Sequence, residues 1–286
     1  MNKQIFSVIC KWASLTSITL AAVMQTAAIV IAYDPTANYF FVGTPLPYVA
    51  AALSVVGGIL GILFALCHTP KNADAVPFSD SKAIVLPAAF CFAVCAILFF
   101  LSASGTLATA AAIVLLLAAL YTILTTTPQA TADATLFPIL GFSTVIACAL
   151  MNAYYYFDAS MEMNAPVKVT VQTALLFAML YYTAELRYLL NRRKPRLYLA
   201  LAMLTLASAA LSAIAIPVAF CIGRLSRMDY LAGAILTLGI AITVLLRVIF
   251  LLSEQNHTVP APSNEEESTA DPMPASDHEK EETDAE

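Results

Sequence analysis

Two full charges interrupt stretches that are otherwise uncharged and apolar: Glu185 and Arg247. A charge at the centre of a membrane span costs roughly 2.5 to 3.5 kcal/mol on insertion scales and usually marks a pair or a function. Each lies about five residues from the same end of its stretch, and the two stretches run in the same direction. A helical rise of 1.5 Å per residue therefore sets both at one depth, about 7 to 8 Å from that end. Two readings stand. Either the charges pair between helices, or Arg247 snorkels to the nearby surface while Glu185 is answered by Arg187 or Arg192. Two uncharged amides, Gln25 and Asn152, form a second and weaker polar group toward the opposite end, with Tyr155 one turn from Asn152. Hydrogen bonds between helices account for these amides better than ligand binding does. Glu185, Arg247, Gln25 and Asn152 are the candidate intramembrane site.

Other reactive residue types lack partners at useful spacings. Cys91 and Cys95 share a helix face at i and i+4, but no third or fourth ligand accompanies them. Cysteines in apolar helices act as small hydrophobes. Of three histidines, His68, His257 and His278, none lies deep in an apolar stretch, which removes the usual general base. HExxH, paired intramembrane aspartates and a Gly-rich phosphate loop are absent. Gly141-Phe142-Ser143 has neither a closing Gly nor a His partner. No catalytic residue, cofactor or metal is assigned.

The elements that position the polar residues follow from composition. Of the 286 residues 60% are hydrophobic and 12% charged, and the mean hydropathy is +0.80. A soluble domain carries about 25% charged residues, so lipid is the solvent for most of this chain. The net charge of −5 hides a division: residues 1–253 carry +5, and residues 254–286 carry −10. This excludes a water-soluble enzyme, a nucleic-acid binder and a disulfide-rich secreted domain. The fold class is all-α, a polytopic transmembrane bundle over residues 1–253, followed by an acidic cytoplasmic tail that lacks the apolar surface to offset its ordering entropy.

Eight uncharged stretches are long enough to cross about 30 Å of hydrocarbon: Ala13–Ala32, Pro47–Cys67, Ala83–Leu101, Thr106–Thr126, Leu136–Phe157, Val167–Leu190, Leu197–Ile222 and Tyr230–Leu252. The third and fourth are separated only by Ser102-Ala103-Ser104-Gly105. As one helix they would extend roughly 66 Å, about twice the hydrocarbon thickness, so a turn belongs there. The alternation of a β-barrel is lacking. The first stretch exceeds a signal-peptide core of about 7 to 15 residues and reads as a retained helix.

Lys and Arg set the orientation. With both termini inside, Lys3, Lys11, Lys71, Lys82, Arg187, Arg192, Arg193, Lys194, Arg196 and Arg247 face the cytoplasm, against Lys168, Arg224 and Arg227 outside. Arg224 and Arg227 run against the rule, with Asp229 as a local counter-charge or with anionic headgroups or solutes as partners. Small residues supply the helix seams: Gly57 and Gly61, extended by Ser54 and Ala65; Ser14, Ser17, Ala21, Gln25, Ala28 and Ala32; and Ser208 with Ser212. These are first internal seams, and the Gly57/Gly61 face is alternatively a self-association surface. Pro217 is expected to kink the seventh stretch.

Two functions compete. The first is a non-enzymatic small-solute permease, or the membrane subunit of a transport assembly, in a prokaryotic cytoplasmic membrane. The second is a scaffold or sensor that transports nothing, with the acidic tail or the Gly57/Gly61 face engaging a protein partner. A permease requires a water-accessible polar path, so the distinguishing feature is whether Gln25, Asn152, Glu185 and Arg247 line one cavity.

Overall fold

The computed structural model describes residues 3–68, 82–127, 136–190 and 194–252. Arg192 and the acidic stretch 254–286 lie outside the described residues. Eight helical segments among them are long and apolar enough to cross a membrane, as the charge-free stretches require. In chain order the elements are α1 (Lys3–Ala32), β1 (Tyr33–Asp34), β2 (Tyr39–Phe40), α2 (Leu46–Cys67), α3 (Lys82–Ser102), α4 (Thr106–Leu124), α5 (Leu136–Phe157), α6 (Pro166–Leu189), α7 (Pro195–Ala213), α8 (Ala215–Cys221) and α9 (Met228–Leu252). The two short strands pair antiparallel, Tyr33 opposite Phe40. They define a hairpin end of the bundle; the opposite end carries the start of α1.

Departures from the expected boundaries have local causes. Helix α1 begins ten residues before Ala13, because Lys3, Lys11 and Trp12 occupy turns beyond the apolar core and charge there does not oppose helix formation. Between α3 and α4 the chain turns at Gly105, whose φ of +101° is open to a residue without Cβ. The seventh span divides into α7 and α8. Pro217 has no N–H to donate to the Ala213 carbonyl, and the break falls at Ile214, between the two helices.

Helices α3, α4, α5, α6, α7 and α9 pack in a closed succession, each on the next and α9 back onto α3. Helices α1 and α2 form an antiparallel pair joined to this ring through α7. Their seam is the one legible in the small residues. Ser14 Oγ donates to the Gly57 carbonyl and Ser17 Oγ to that of Leu53, both at 2.7 Å. Ser54 Oγ reaches the Ala207 carbonyl of α7 at 2.8 Å. A Cβ on Gly57 would lie 2.8 Å from Ile18 Cγ1, and one on Gly61 2.5 Å from Met203 Cβ. The Gly57/Gly61 face is thus filled by α1 and α7 of the same chain, which leaves no room on it for a second molecule: it is an internal seam.

Candidate functional site

Glu185 and Arg247 meet. Arg247 Nε stands 3.6 Å from Glu185 Oε2, and the two residues are 1% and 2% exposed. Arg247 therefore does not snorkel, and Arg187, exposed on another face of α6, is not the buried carboxylate's partner in this pair. Three tyrosines complete the surroundings. Tyr121 of α4 donates to Glu185 Oε1 at 2.9 Å, and the hydroxyls of Tyr181 of α6 and Tyr198 of α7 lie 3.0 and 3.2 Å from Oε2. These two hydroxyls are also 2.5 Å apart, so one donates to the other and the second donates its proton to Oε2. A buried carboxylate is tolerable only when its lone pairs are answered, and here four helices of the ring supply the answer. The cluster lies within about one to two turns of the helix ends remote from the hairpin.

A second polar cluster closes the hairpin end of the same ring. Arg227, on the approach to α9, bridges Asp158, at 3.2 Å, and Asp229. Tyr230 donates to Asp158 Oδ2 at 3.0 Å, Tyr154 to Asp229 Oδ2 at 3.3 Å, and Tyr155 to the Asp229 carbonyl at 2.7 Å. The Tyr155 phenol reaches that carbonyl through a notch at Gly233, where a Cβ would collide with it. Phe99 of α3 lies edge-on to both Tyr154 and Tyr155. Lys168, 2% exposed, donates to the carbonyls of Asp158 at 2.7 Å and Met161 at 3.2 Å and so ties down the loop between α5 and α6. Burial pushes the Asp158 carboxyl upward, but bonds from the Ser160 side chain and backbone, the Tyr230 hydroxyl and the Arg227 charge outweigh it. The group is held below the usual carboxylate range.

These contacts engage the cations at the hairpin end. Arg227 is neutralised by Asp158 and Asp229, Lys168 is spent on backbone carbonyls, and Arg224 Nη1 lies 3.4 Å from the Tyr33 carbonyl. Asp229 was the counter-charge legible in the sequence; Asp158 and the tyrosines were not. Between the two clusters the buried residues of the ring helices are mainly apolar, with Phe92, Cys95, Cys148, Met151, Leu175 and Ile240 at most 1% exposed, alongside the buried Tyr182 hydroxyl and a Ser212–Thr237 hydrogen bond.

The other two candidates lie elsewhere. Gln25, 5% exposed, borders a cleft between α2 and α6. Asn152 borders a separate groove between α5 and α6 with Gln172 and Thr173, and its Oδ1 is buried without a hydrogen-bond partner among the described residues. The four polar residues thus divide among three places rather than lining one cavity. In comparisons with family models, curated proteins and solved structures, nothing matches this chain.

Tyr181 was within reach of sequence reasoning, since it precedes Glu185 by four residues and shares its helix face. Tyr121 had no such signal, being separated from Glu185 by 64 positions. Tyr198 reads by position as an interfacial aromatic and is instead fully buried against Tyr181 and Tyr188.

Proposed function

We propose that this multi-pass membrane protein is a small-solute permease, or the membrane subunit of a transport assembly, whose path follows the axis of the six-helix ring and is held here closed at both ends. One observation carries the reading: two ion-paired, tyrosine-bound clusters stand at opposite ends of the same ring, with a mainly apolar stretch between them. Polar groups at a constriction can exchange protein partners for water or solute when helices separate, which an apolar end could not do without exposing hydrocarbon surface. In this reading Glu185 and Arg247 form the cytoplasmic closure, Asp158, Arg227 and Asp229 the outer one, and both termini are cytoplasmic in a prokaryotic cell membrane.

The test is leak. Purified protein in proteoliposomes is subjected to an osmotic step with small neutral solutes, and shrinkage and recovery are followed by light scattering. Removing one closure with Glu185→Gln or Asp158→Asn should raise permeation above wild type, and removing both should raise it most. Folded single and double variants that are as tight as protein-free vesicles would overturn the reading.

The second reading, a scaffold or sensor, is favoured by the same dryness: both Glu185 oxygens are satisfied within the chain, as in a structural staple. It assigns the acidic tail to partner docking and predicts no change in permeation on opening either cluster.

A further inference from the structure

We infer that the lateral cleft between α2 and α6 is a binding site for one membrane lipid with a zwitterionic, ammonium-bearing head. This inference is independent of the axial path. Helices α2 and α6 both pack on α7, and a cleft bordered by residues of all three lies between them. Its deeper part, about 380 Å³, is apolar where Ala51, Val55, Ile59, Phe177, Leu204 and Leu211 meet. Its mouth, about 450 Å³, is also mainly apolar but adds the polar side chains of Gln25, Tyr39, Tyr48 and Asn164. The two parts share Ala51, Val169, Thr170 and Leu211 in their linings, so they adjoin one another. From Tyr48 to Ile59 along α2 it extends roughly 16 Å, about the depth of one leaflet.

An acyl chain fits the apolar floor, and the mouth specifies the head. Gln25 is 95% buried and makes no hydrogen bond among the described residues, yet its side chain borders the mouth. An amide so placed within a membrane lacks a partner unless a ligand supplies one. The charge beside the rim is acidic: the exposed Glu162 carboxylate lies near the half-buried Tyr39 hydroxyl. Each basic group at this end is engaged away from the mouth, Lys168 with the carbonyls of the loop after α5, Arg227 with Asp158 and Asp229, and Arg224 with Tyr33. An anionic head would meet Glu162 without compensation, whereas an ammonium is attracted to it, and its N–H donors can satisfy the Gln25 carbonyl.

The experiment is native mass spectrometry of the full chain in mild detergent, titrated with phosphatidylethanolamine or with phosphatidylglycerol of identical acyl chains. Wild type should retain one lipid, with the ethanolamine form preferred several-fold. Gln25→Leu should weaken its retention about tenfold, the equivalent of one hydrogen bond. Ala51→Phe, which fills the space where mouth and floor adjoin, should abolish it, while Leu117→Phe, on the exposed face of α4, should leave it unchanged. A thermal melt shows that each variant remains folded. Equal retention of both lipids, or retention indifferent to Ala51→Phe, overturns the inference. A concentration-dependent dimer that Ala51→Phe dissolves would also overturn it, assigning the cleft to a second copy.

Discussion

Glu185→Gln removes the counter-charge of a guanidinium that is 2% exposed. Arg247→Gln removes the cation beside a carboxylate that still accepts from Tyr121 and from one of the Tyr181 and Tyr198 hydroxyls. Breaking a buried pair from one side costs about 3 to 5 kcal/mol, and an arginine cannot shed its proton to escape the penalty; Glu185→Gln belongs in that range. In Arg247→Gln the carboxylate keeps two donors, each worth about 1.5 to 3 kcal/mol net toward a charged acceptor, and the cost falls to about 2 to 3 kcal/mol. The double variant carries neither charge and should recover about 2 kcal/mol relative to the sum of the singles. Denaturant unfolding in mild detergent micelles, followed for all four proteins at one protein concentration, measures the cycle. Losses that add to within about 0.5 kcal/mol, the additivity expected of independent sites, would falsify the coupling and leave the two charges as independent residues.

Three further outcomes follow from the same geometry. A cytoplasm-dependent reporter fused after Leu190 and a periplasm-dependent one fused after Asp158 should both be active, and the reverse pattern would invert the orientation. Gly61→Leu should destabilise the bundle by about 3 kcal/mol through overpacking against Met203, while Val56→Ile on the exposed face of α2 should be neutral by the same thermal melt. Because Asp158 is held below its ordinary range, its contribution is present above the unfolded value of about 3.9. It is lost as the pH falls through the lowered folded value. An acid titration of stability should accordingly lose part of its steepness in Asp158→Asn, and an unchanged profile would show that the hairpin-end cluster does not hold the carboxylate.

The helices were legible because lipid demands long uncharged runs, and the chain offers eight of them. The α1 and α2 seam was legible as well: the stripe from Ser14 to Ala32 at three- and four-residue intervals is buried along its length, since in lipid only small or hydrogen-bonding residues permit close backbone approach. Depth matching brought Glu185 and Arg247 together on paper, because rise per residue fixes depth even where neighbourhood is unknown. What depth cannot fix is which helices adjoin. Tyr121 and Tyr198 reach Glu185 only because α4 and α7 occupy places in the ring that no local pattern encodes. For the same reason Gln25 and Asn152, similar in depth and chemistry, face different clefts. Asp158 gave no signal of its partnership with Arg227, since an acid at a loop start reads as a turn residue, and here it also holds Ser160 in that role.

The central claim is that the ring has two closures which open to water. Tyr155, Cys95, Cys148 and Tyr182 succeed one another as neighbours from the hairpin-end cluster toward the Glu185 cluster, and both thiols are at most 1% exposed. They are native reporters of the interior, because a thiol reacts with a charged, membrane-impermeant methanethiosulfonate only where water reaches it. Right-side-out vesicles are treated with such a reagent, and modification of each cysteine is quantified by peptide mass spectrometry. Cys95 and Cys148 should be slow to react in wild type and accelerate at least tenfold in Asp158→Asn, with Cys10 unchanged. Cys95 and Cys148 that stay unreactive in every folded variant, with either closure removed, would contradict the account and leave the ring as a solid core.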